Sequence, residues 1–279
     1  MLEQALTSHL PEAAKKRISL VLLIDPELPQ FWTSDSCLLR QLVDNLLGNA
    51  LKHTTSGEIS LRASSVRENG TADRLRMRVT DSGPGVDGME SRRLFEAYRQ
   101  GRGSVEGKGL GLYICKHIVR AMGGQIRCAN TGRWGSCFEV ILPGVLDRPP
   151  TGPVPGATLL GQLHCSLLLE GRQARSVSSI LTRLGIPWSP AGTMLSAESD
   201  RNLQVLIRTD GAGDQLPAEA LPVLRLESRS VASKSLSLPV FESTLGPALL
   251  EMALEWLSRR GRQDSVPSLY RSKLPGGRD

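Results

Sequence analysis

The stretch that decides the fold is Asn45–Thr54, NLLGNALKHT. It lies in a longer pattern from Asp35 to His53 in which Leu38, Leu39, Leu42, Val43, Leu46, Leu47, Ala50 and Leu51 recur at helical spacing. That spacing predicts an amphipathic helix, with Ser34 or Asp35 as its N-cap. Asn45, Asn49 and Lys52 fall four and three residues apart and so share one face of it. Asparagine is a poor choice inside a helix, because its amide competes for backbone hydrogen bonds. A solvated polar stripe would account for this stretch taken alone. Two motifs downstream give the stripe a purpose.

The chain around it has 279 residues, room for two ordinary domains. Its 34 basic and 28 acidic side chains leave a net charge of +6. No Lys/Arg block with interleaved aromatics accompanies that surplus. It reads as a solvated basic surface and does not point to nucleic acid. Cys37, Cys115, Cys128, Cys137 and Cys165 form no CxxC and no metal-ligand spacing with histidine. They read as small packing residues in a reducing compartment. There is no membrane-spanning apolar run and no signal peptide, and the expected location is cytoplasmic.

The character of the chain changes near residue 145. Residues 146–156, LDRPPTGPVPG, are rich in proline and glycine and read as a linker. Before it, residues 2–16 read as a helix and Ile18–Ile24 as a strand. The Asp35–His53 helix is followed by strands at Gly57–Val66 and Leu75–Asp81, then a short helix at 89–96. After a loop over Gln100–Lys108, a helix over Gly109–Met122 ends at Gly123-Gly124. Strands at Gln125–Ala129 and Cys137–Leu142 close the domain. The expected architecture is a two-layer α/β sandwich, helices on one face of a mixed sheet. Residues 157–260 alternate strands (LHCSLLL, LQVLIRT, LPVLRLES) with helices (GRQARSVSSILTRLG, LGPALLEMALEWLSRR), which predicts a doubly wound parallel sheet. Residues 261–279 read as a disordered tail or second linker.

The second motif, VTDSGPGV, places Asp81 at a strand end before Gly83, Pro84 and Gly85. A carboxylate there can accept a hydrogen bond from an exocyclic amine such as N6 of adenine. The glycines let the backbone turn tightly beside a flat ring. A plain β-turn is the alternative. The third, GKGLGLYICKHIV, sets Gly107, Gly109 and Gly111 at a helix start, where exposed backbone N–H groups favour an anion. Close helix–sheet packing would also explain the last two glycines.

In this order the motifs resemble the ATP-binding domain of bacterial sensor histidine kinases, of the superfamily shared with gyrase and Hsp90. The resemblance covers roughly residues 1–145 and implies the Bergerat-type fold. NLLGNALKHT matches the N box, DSGPG the G1 box, LFEAYRQ (Leu94–Gln100) the F box and GKGLGL (Gly107–Leu112) the G2 box. It implies that Asn45 and Asn49 hold Mg²⁺ between the ATP phosphates, a hard ion suited to oxygen ligands. By the same resemblance Lys52 offsets phosphate charge, His53 lies near the phosphates or ribose, and Asp81 reads adenine in a pocket shaped by Gly83 and Gly85. Gly107, Gly109, Leu110, Gly111 and Leu112 cradle the phosphates. Gln100–Lys108 is the ATP lid, with Arg99 and Arg102 in reach of the γ-phosphate. Such catalysis is positioning and charge stabilisation, with no activated protein nucleophile.

Two positions depart from the family pattern. The F box reads FEAY where Pro and Phe usually follow the Glu. Lys108 replaces a small hydroxyl residue and adds a cation beside the phosphates. The family's phosphoacceptor histidine sits on a two-helix dimerisation domain, and none of His9, His53, His117 or His164 has its context. The expectation is a chain truncated before that domain, which is then its partner. A downstream receiver, phosphotransfer domain or response regulator is the next partner.

Residues 157–260 resemble, less closely, a response-regulator receiver domain of the flavodoxin-like type. Only Glu170 remains of the acidic pair, Asp210 falls late for the phosphoacceptor, Ser228 is kept, and Leu238 stands where Lys should precede Pro239. The expectation is a degenerate receiver that regulates the kinase or takes a partner or small ligand. Arg172, Arg175 and Arg183 would permit a cyclic dinucleotide but read more simply as a solvated helix face. The function expected overall is ATP-dependent protein-histidine kinase in two-component signalling. The competing readings are a nucleotide-switched interaction module and an ATPase like gyrase or Hsp90. The last is disfavoured because those branches usually carry a catalytic Glu where Asn45 stands.

Overall fold

A computed structural model of the chain describes residues 1–29, 32–67, 74–86, 93–96, 110–130, 135–146, 160–161, 163–169, 171–190, 203–209, 223–227, 235–237 and 240–259. The chain divides into two compact units, Met1–Thr151 and Gly152–Asp279.

In the first unit, helix α1 (Leu2–Lys16) leads into strand β1 (Ile18–Ile24). The short strand β2 (Trp32–Thr33), helix α2 (Ser36–His53), and strands β3 (Gly57–Val66) and β4 (Arg74–Asp81) follow. Helix α3 (Gly111–Ala121), strands β5 (Gln125–Asn130) and β6 (Ser136–Pro143), and the short strand β7 (Val145–Leu146) complete it. A five-stranded sheet runs β1-β3-β4-β6-β5. β1 and β3 are parallel and the remaining pairs antiparallel. The parallel pair requires a crossover, and α2 is that crossover.

Helix α2 forms where the periodicity places it. Asp35 is its N-cap, with Oδ1 accepting from the Cys37 and Leu38 backbone N–H groups at 2.9 Å each. Leu39, Leu42, Val43, Leu46, Leu47, Ala50 and Leu51 are all buried. Each fully buried leucine contributes about 1.5–3 kcal/mol. At the other end the Lys16 ammonium donates to the Leu51 carbonyl at 2.6 Å, satisfying a last-turn acceptor from α1.

Strand β4 alternates. Leu75, Met77, Val79 and Asp81 are buried, while Arg74, Arg76, Arg78 and Thr80 take the other face half-exposed. On that outer face Arg62, Arg78, Glu139 and Arg127 stand opposite one another across four strands. Glu139 is 3% exposed and is bound by Arg78 and Arg127, with Arg127 Nε at 2.7 Å. Burial pushes its carboxyl upward, but the hydrogen bonds and charges of Arg78 and Arg127 outweigh this and hold it below the usual glutamate value. β2 and β7 form a separate two-residue antiparallel ribbon. The Trp32 indole there fills the space that a Gly144 side chain would need, with Cε2 1.8 Å from the position of a Cβ.

The second unit carries β8 (Leu163–Leu168), helix α4 (Gly171–Arg183), β9 (Trp188–Pro190), β10 (Leu203–Thr209), β11 (Val223–Glu227), β12 (Ser235–Ser237) and helix α5 (Glu242–Arg259). Its sheet runs β9-β8-β10-β11-β12 with every pair parallel. Leu163, Cys165, Leu181, Val205, Ile207, Leu245 and Leu249 fill its core. β8 buries Cys165, Ser166 and Leu167, and β10 buries Val205, Leu206 and Ile207, consecutive positions as in strands covered on both faces.

The differences from the sequence reading are local. Of the helix expected at 89–96, residues 93–96 form a turn closed by Glu96 N–H to the Arg93 carbonyl at 3.0 Å; residues 89–92 lie outside the described residues. Helix α3 begins at Gly111. The final helix begins at Glu242, three residues before the expected Leu245, because Thr244 and Phe241 close the first turn by reciprocal backbone and side-chain hydrogen bonds. The two-residue strands β2 and β7 have no periodicity to detect.

Candidate functional site

The end of β4, the end of α2 and the start of β6 meet around Asp81. Its carboxylate is 6% exposed, and Oδ1 accepts from the Gly83 N–H at 2.9 Å and from the Ser136 N–H at 3.3 Å. Burial pushes its pKa above the ordinary aspartate value. Gly83, the Ser136 backbone and hydroxyl, and the His53 imidazole pull the other way without cancelling that rise. Oδ1 takes both backbone bonds, and a carboxylate has more lone pairs than these bonds use, so it keeps acceptor capacity to offer a ligand.

The glycines of this corner are steric requirements. A Cβ on Gly83 would stand 2.9 Å from both Asp81 Oδ1 and the His53 carbonyl, so the turn after β4 lies directly on the end of α2. Gly135 has φ +91° and a Cβ there would come 1.8 Å from the Asp81 carbonyl. Gly85 has φ +79°, a left-handed conformation that its absent side chain permits. Gly135 and Ser136 were not singled out from the sequence. Their only signal is a glycine just ahead of the strand in RWGSCFEV, 55 residues from its hydrogen-bond partner.

On α2, Asn45, Asn49 and Lys52 are partly exposed along one face, with His53 in the last turn. The pKa of His53 is lowered, first by burial and then by the charges of Lys52 and Lys16, against a smaller opposing pull from Asp81. Among the described residues the Asn45 amide nitrogen is buried with no hydrogen-bond partner. Among the described residues no cluster of His, Cys, Asp or Glu could hold a metal. The donor set on α2 is two neutral amide oxygens. That is too few alone but suits a hard divalent cation whose other ligands are phosphate oxygens and water.

Leu110 occupies the N-cap position of α3 and provides no side-chain cap; a helix N-terminus favours an anion. A Cβ on Gly111 would meet nothing within 4 Å. Helix–sheet packing does not require that glycine, whereas close approach of a ligand to the backbone would. Leu112 follows in the first turn. α3 packs against α2, with Cys115 buried beside the Leu42 carbonyl. Arg99, Arg102, Gly107, Lys108 and Gly109 lie outside the described residues. Burial pushes the thiols of Cys115 and Cys165 up to about 12 and that of Cys128 to about 11, so these three are poor nucleophiles.

Residues 34–145 match the family model described as histidine kinase-, DNA gyrase B-, and HSP90-like ATPase. The chain is 31% identical over 198 residues to the sensor histidine kinase GacS of Pseudomonas protegens, an alignment of 70% of this chain and 22% of that protein. It is 37% identical over 140 residues to the sensor histidine kinase RcsC of Escherichia coli, an alignment of 49% of this chain and 14% of that one. The chain thus spans less than a quarter of the length of these relatives. Among solved structures, full-length ShkA in complex with AMPPNP has the same fold over 91% of this chain and 56% of its own, with a TM-score of 0.66 at 24% identity. Over residues 34–145, then, this chain carries an ATP-binding catalytic domain of the sensor-histidine-kinase type.

Proposed function

We propose that this chain transfers the γ-phosphoryl group of ATP to a histidine on a dimerisation domain, and that a degenerate receiver in residues 157–260 regulates the transfer. The observation that carries the reading is the Asp81 corner. A buried carboxylate, anchored through Oδ1 by the Gly83 and Ser136 N–H groups, stands at the mouth of a helix bearing Asn45, Asn49 and Lys52.

In this reading Asp81 Oδ2 accepts a hydrogen bond from the adenine amine, and the absence of a side chain at Gly83 and Gly85 gives the ring its space. Asn45 and Asn49 hold Mg²⁺, which neutralises phosphate charge when bound. Lys52 adds a fixed cation on the same face. His53 lies near the ribose or phosphates. The N-terminus of α3, from Leu110 through Gly111 and Leu112, receives phosphate oxygens. Gly107, Lys108 and Gly109 continue that cradle, and Arg99 and Arg102 reach the γ-phosphate from the lid. The incoming nucleophile is the partner's imidazole, so this chain contributes orientation and charge only.

The sheet order of the second unit supports the receiver reading, since its strands run second, first, third, fourth, fifth in chain order. With Leu238 in place of Lys and a single Glu170 for the acidic pair, it takes no phosphoryl group and acts as an adaptor for a partner or small ligand. Among the described residues no helix is long and apolar enough to cross a membrane, and we place the domain in the cytoplasm, where ATP is found.

The test is calorimetric titration with a non-hydrolysable ATP analogue, with and without Mg²⁺. Incubation with labelled ATP and a purified histidine-bearing dimerisation domain follows. The expected result is Mg²⁺-strengthened binding and acid-labile phosphohistidine on the added domain. Binding without transfer would make the chain a nucleotide-switched module. Fast phosphate release without the added domain would make it an ATPase.

A further inference from the structure

Ser82 lies between the two residues that shape the base pocket, Asp81 and Gly83, but is itself exposed. Its backbone N–H donates to the Glu58 carbonyl at 3.0 Å, continuing the β3–β4 ladder by one rung past Ile59 and Asp81. An antiparallel rung of this kind normally returns its second bond through the opposing backbone carbonyl. Here the Ser82 hydroxyl supplies it, with Oγ accepting from the Glu58 N–H at 2.9 Å. The same hydroxyl donates to the Ser56 carbonyl at 3.0 Å. One side chain thus closes the last rung of the sheet and hooks the segment leaving α2. The backbone can then turn away at Gly83, whose N–H goes to Asp81 Oδ1.

The geometry around the hydroxyl is exclusive. Gly57 lies between the two residues it bonds, with φ +103°, and a Cβ there would come 2.3 Å from Ser82 Oγ. On the other side of the turn a Cβ on Gly83 would stand 2.9 Å from the His53 carbonyl. The turn after β4 is therefore pinned to the end of α2 at two points, Gly83 on His53 and Ser82 on Ser56.

We propose that Ser82 is a positioning residue for base recognition: its hydroxyl fixes Asp81 relative to the asparagine face of α2, and so sets how strictly the pocket demands an exocyclic amine. The proposal rests on the nucleotide reading above and adds to it the determinant of base selectivity. Ser82 touches neither base nor phosphate in this role; it acts through Asp81.

The experiment compares ADP with inosine diphosphate, which lacks that amine, on the full chain with Mg²⁺ by calorimetry, alongside thermal melting. Wild type is expected to prefer ADP. Ser82→Ala removes two hydrogen bonds and should reduce that preference by about tenfold. Ser82→Thr keeps the hydroxyl and should hold it within about twofold of wild type. Ser82→Cys, near-isosteric but a weak acceptor, carries the same expectation as alanine if Ser82→Ala fails to fold. An unchanged ADP preference in the folded variants, with or without a lower melting temperature, would overturn the role of Ser82 and leave nucleotide binding standing. A wild type that binds ADP but does not distinguish the two ligands would overturn the proposal at its root. A wild type that binds neither would overturn the nucleotide reading together with it.

Discussion

Asp81→Asn separates recognition from folding. Asparagine is isosteric with aspartate, and its Oδ1 can keep the bonds from the Gly83 and Ser136 backbone N–H groups. The amide nitrogen then stands where Oδ2 stood, a donor facing the donor of the adenine amine. The lost hydrogen bond to a charged acceptor costs about 1.5–3 kcal/mol, and the unpaired ligand amine about 1–3 kcal/mol more. The expected loss is a hundredfold or more in affinity for the ATP analogue, from roughly 3 kcal/mol in binding. Stability should move the other way or not at all. Burial raises the Asp81 pKa in the folded chain, so its ionised form opposes folding at pH 7 and a neutral amide removes that cost. A raised folded pKa stabilises below the unfolded value near 3.8 and loses that contribution as pH rises through the folded value. Wild type should therefore be least stable relative to the variant near neutrality and gain on it under acid. Calorimetry of binding with melting curves across pH 4–8 checks both arms. Affinity within threefold of wild type, or an affinity loss matched by a fall in melting temperature at pH 7, would refute the reasoning.

Glu139→Ala should cost about 1–3 kcal/mol in urea denaturation, reduced from the value for a fully buried pair because its arginines are 28–69% exposed. Its folded pKa is lowered, so the difference from wild type should hold at neutral pH and shrink as pH falls below the ordinary value of 4.5. Gly135→Ala drives a Cβ onto the Asp81 carbonyl and should cost about 3 kcal/mol or more in stability and abolish analogue binding, read by melting and titration. Arg17→Gly relieves a left-handed residue at φ 55° that caps α1, and should raise stability by about 1 kcal/mol in the same denaturation assay.

The helical face of Asn45, Asn49 and Lys52 was legible because periodicity is local: the apolar residues on either side fix which way the amides turn. Asp81 was legible as the last residue of an alternating strand. Its partners were not. The Gly135 and Ser136 contacts exist only once β4 pairs with β6, and no property of RWGS announces which strand it will meet. Ser82 passed as a turn residue because its hydroxyl acts on Ser56 and Glu58, some 25 residues earlier in the chain. The Glu139 cluster was hidden for a different reason. Alternation assigns Arg76, Arg78 and Arg127 to a solvent face, which is correct, but the burial of the carboxylate among them depends on cross-strand register. Outside the Asn–Asp–Gly framework, charge-bearing residues were read one element at a time, and their meaning lay between elements.

The pairing of β4 with β6 has a kinetic consequence. The Asp81 corner is completed by a contact spanning 55 residues, whereas the α2 face assembles from neighbours in sequence. Closing so long a loop is entropically costly, and contacts of this kind tend to slow folding. If that rung forms after the folding barrier, a base-directed ligand has nothing complete to hold until the chain has passed it. Such a ligand should leave the refolding rate nearly unchanged and slow unfolding instead, extending the lifetime of the folded domain without hastening its birth.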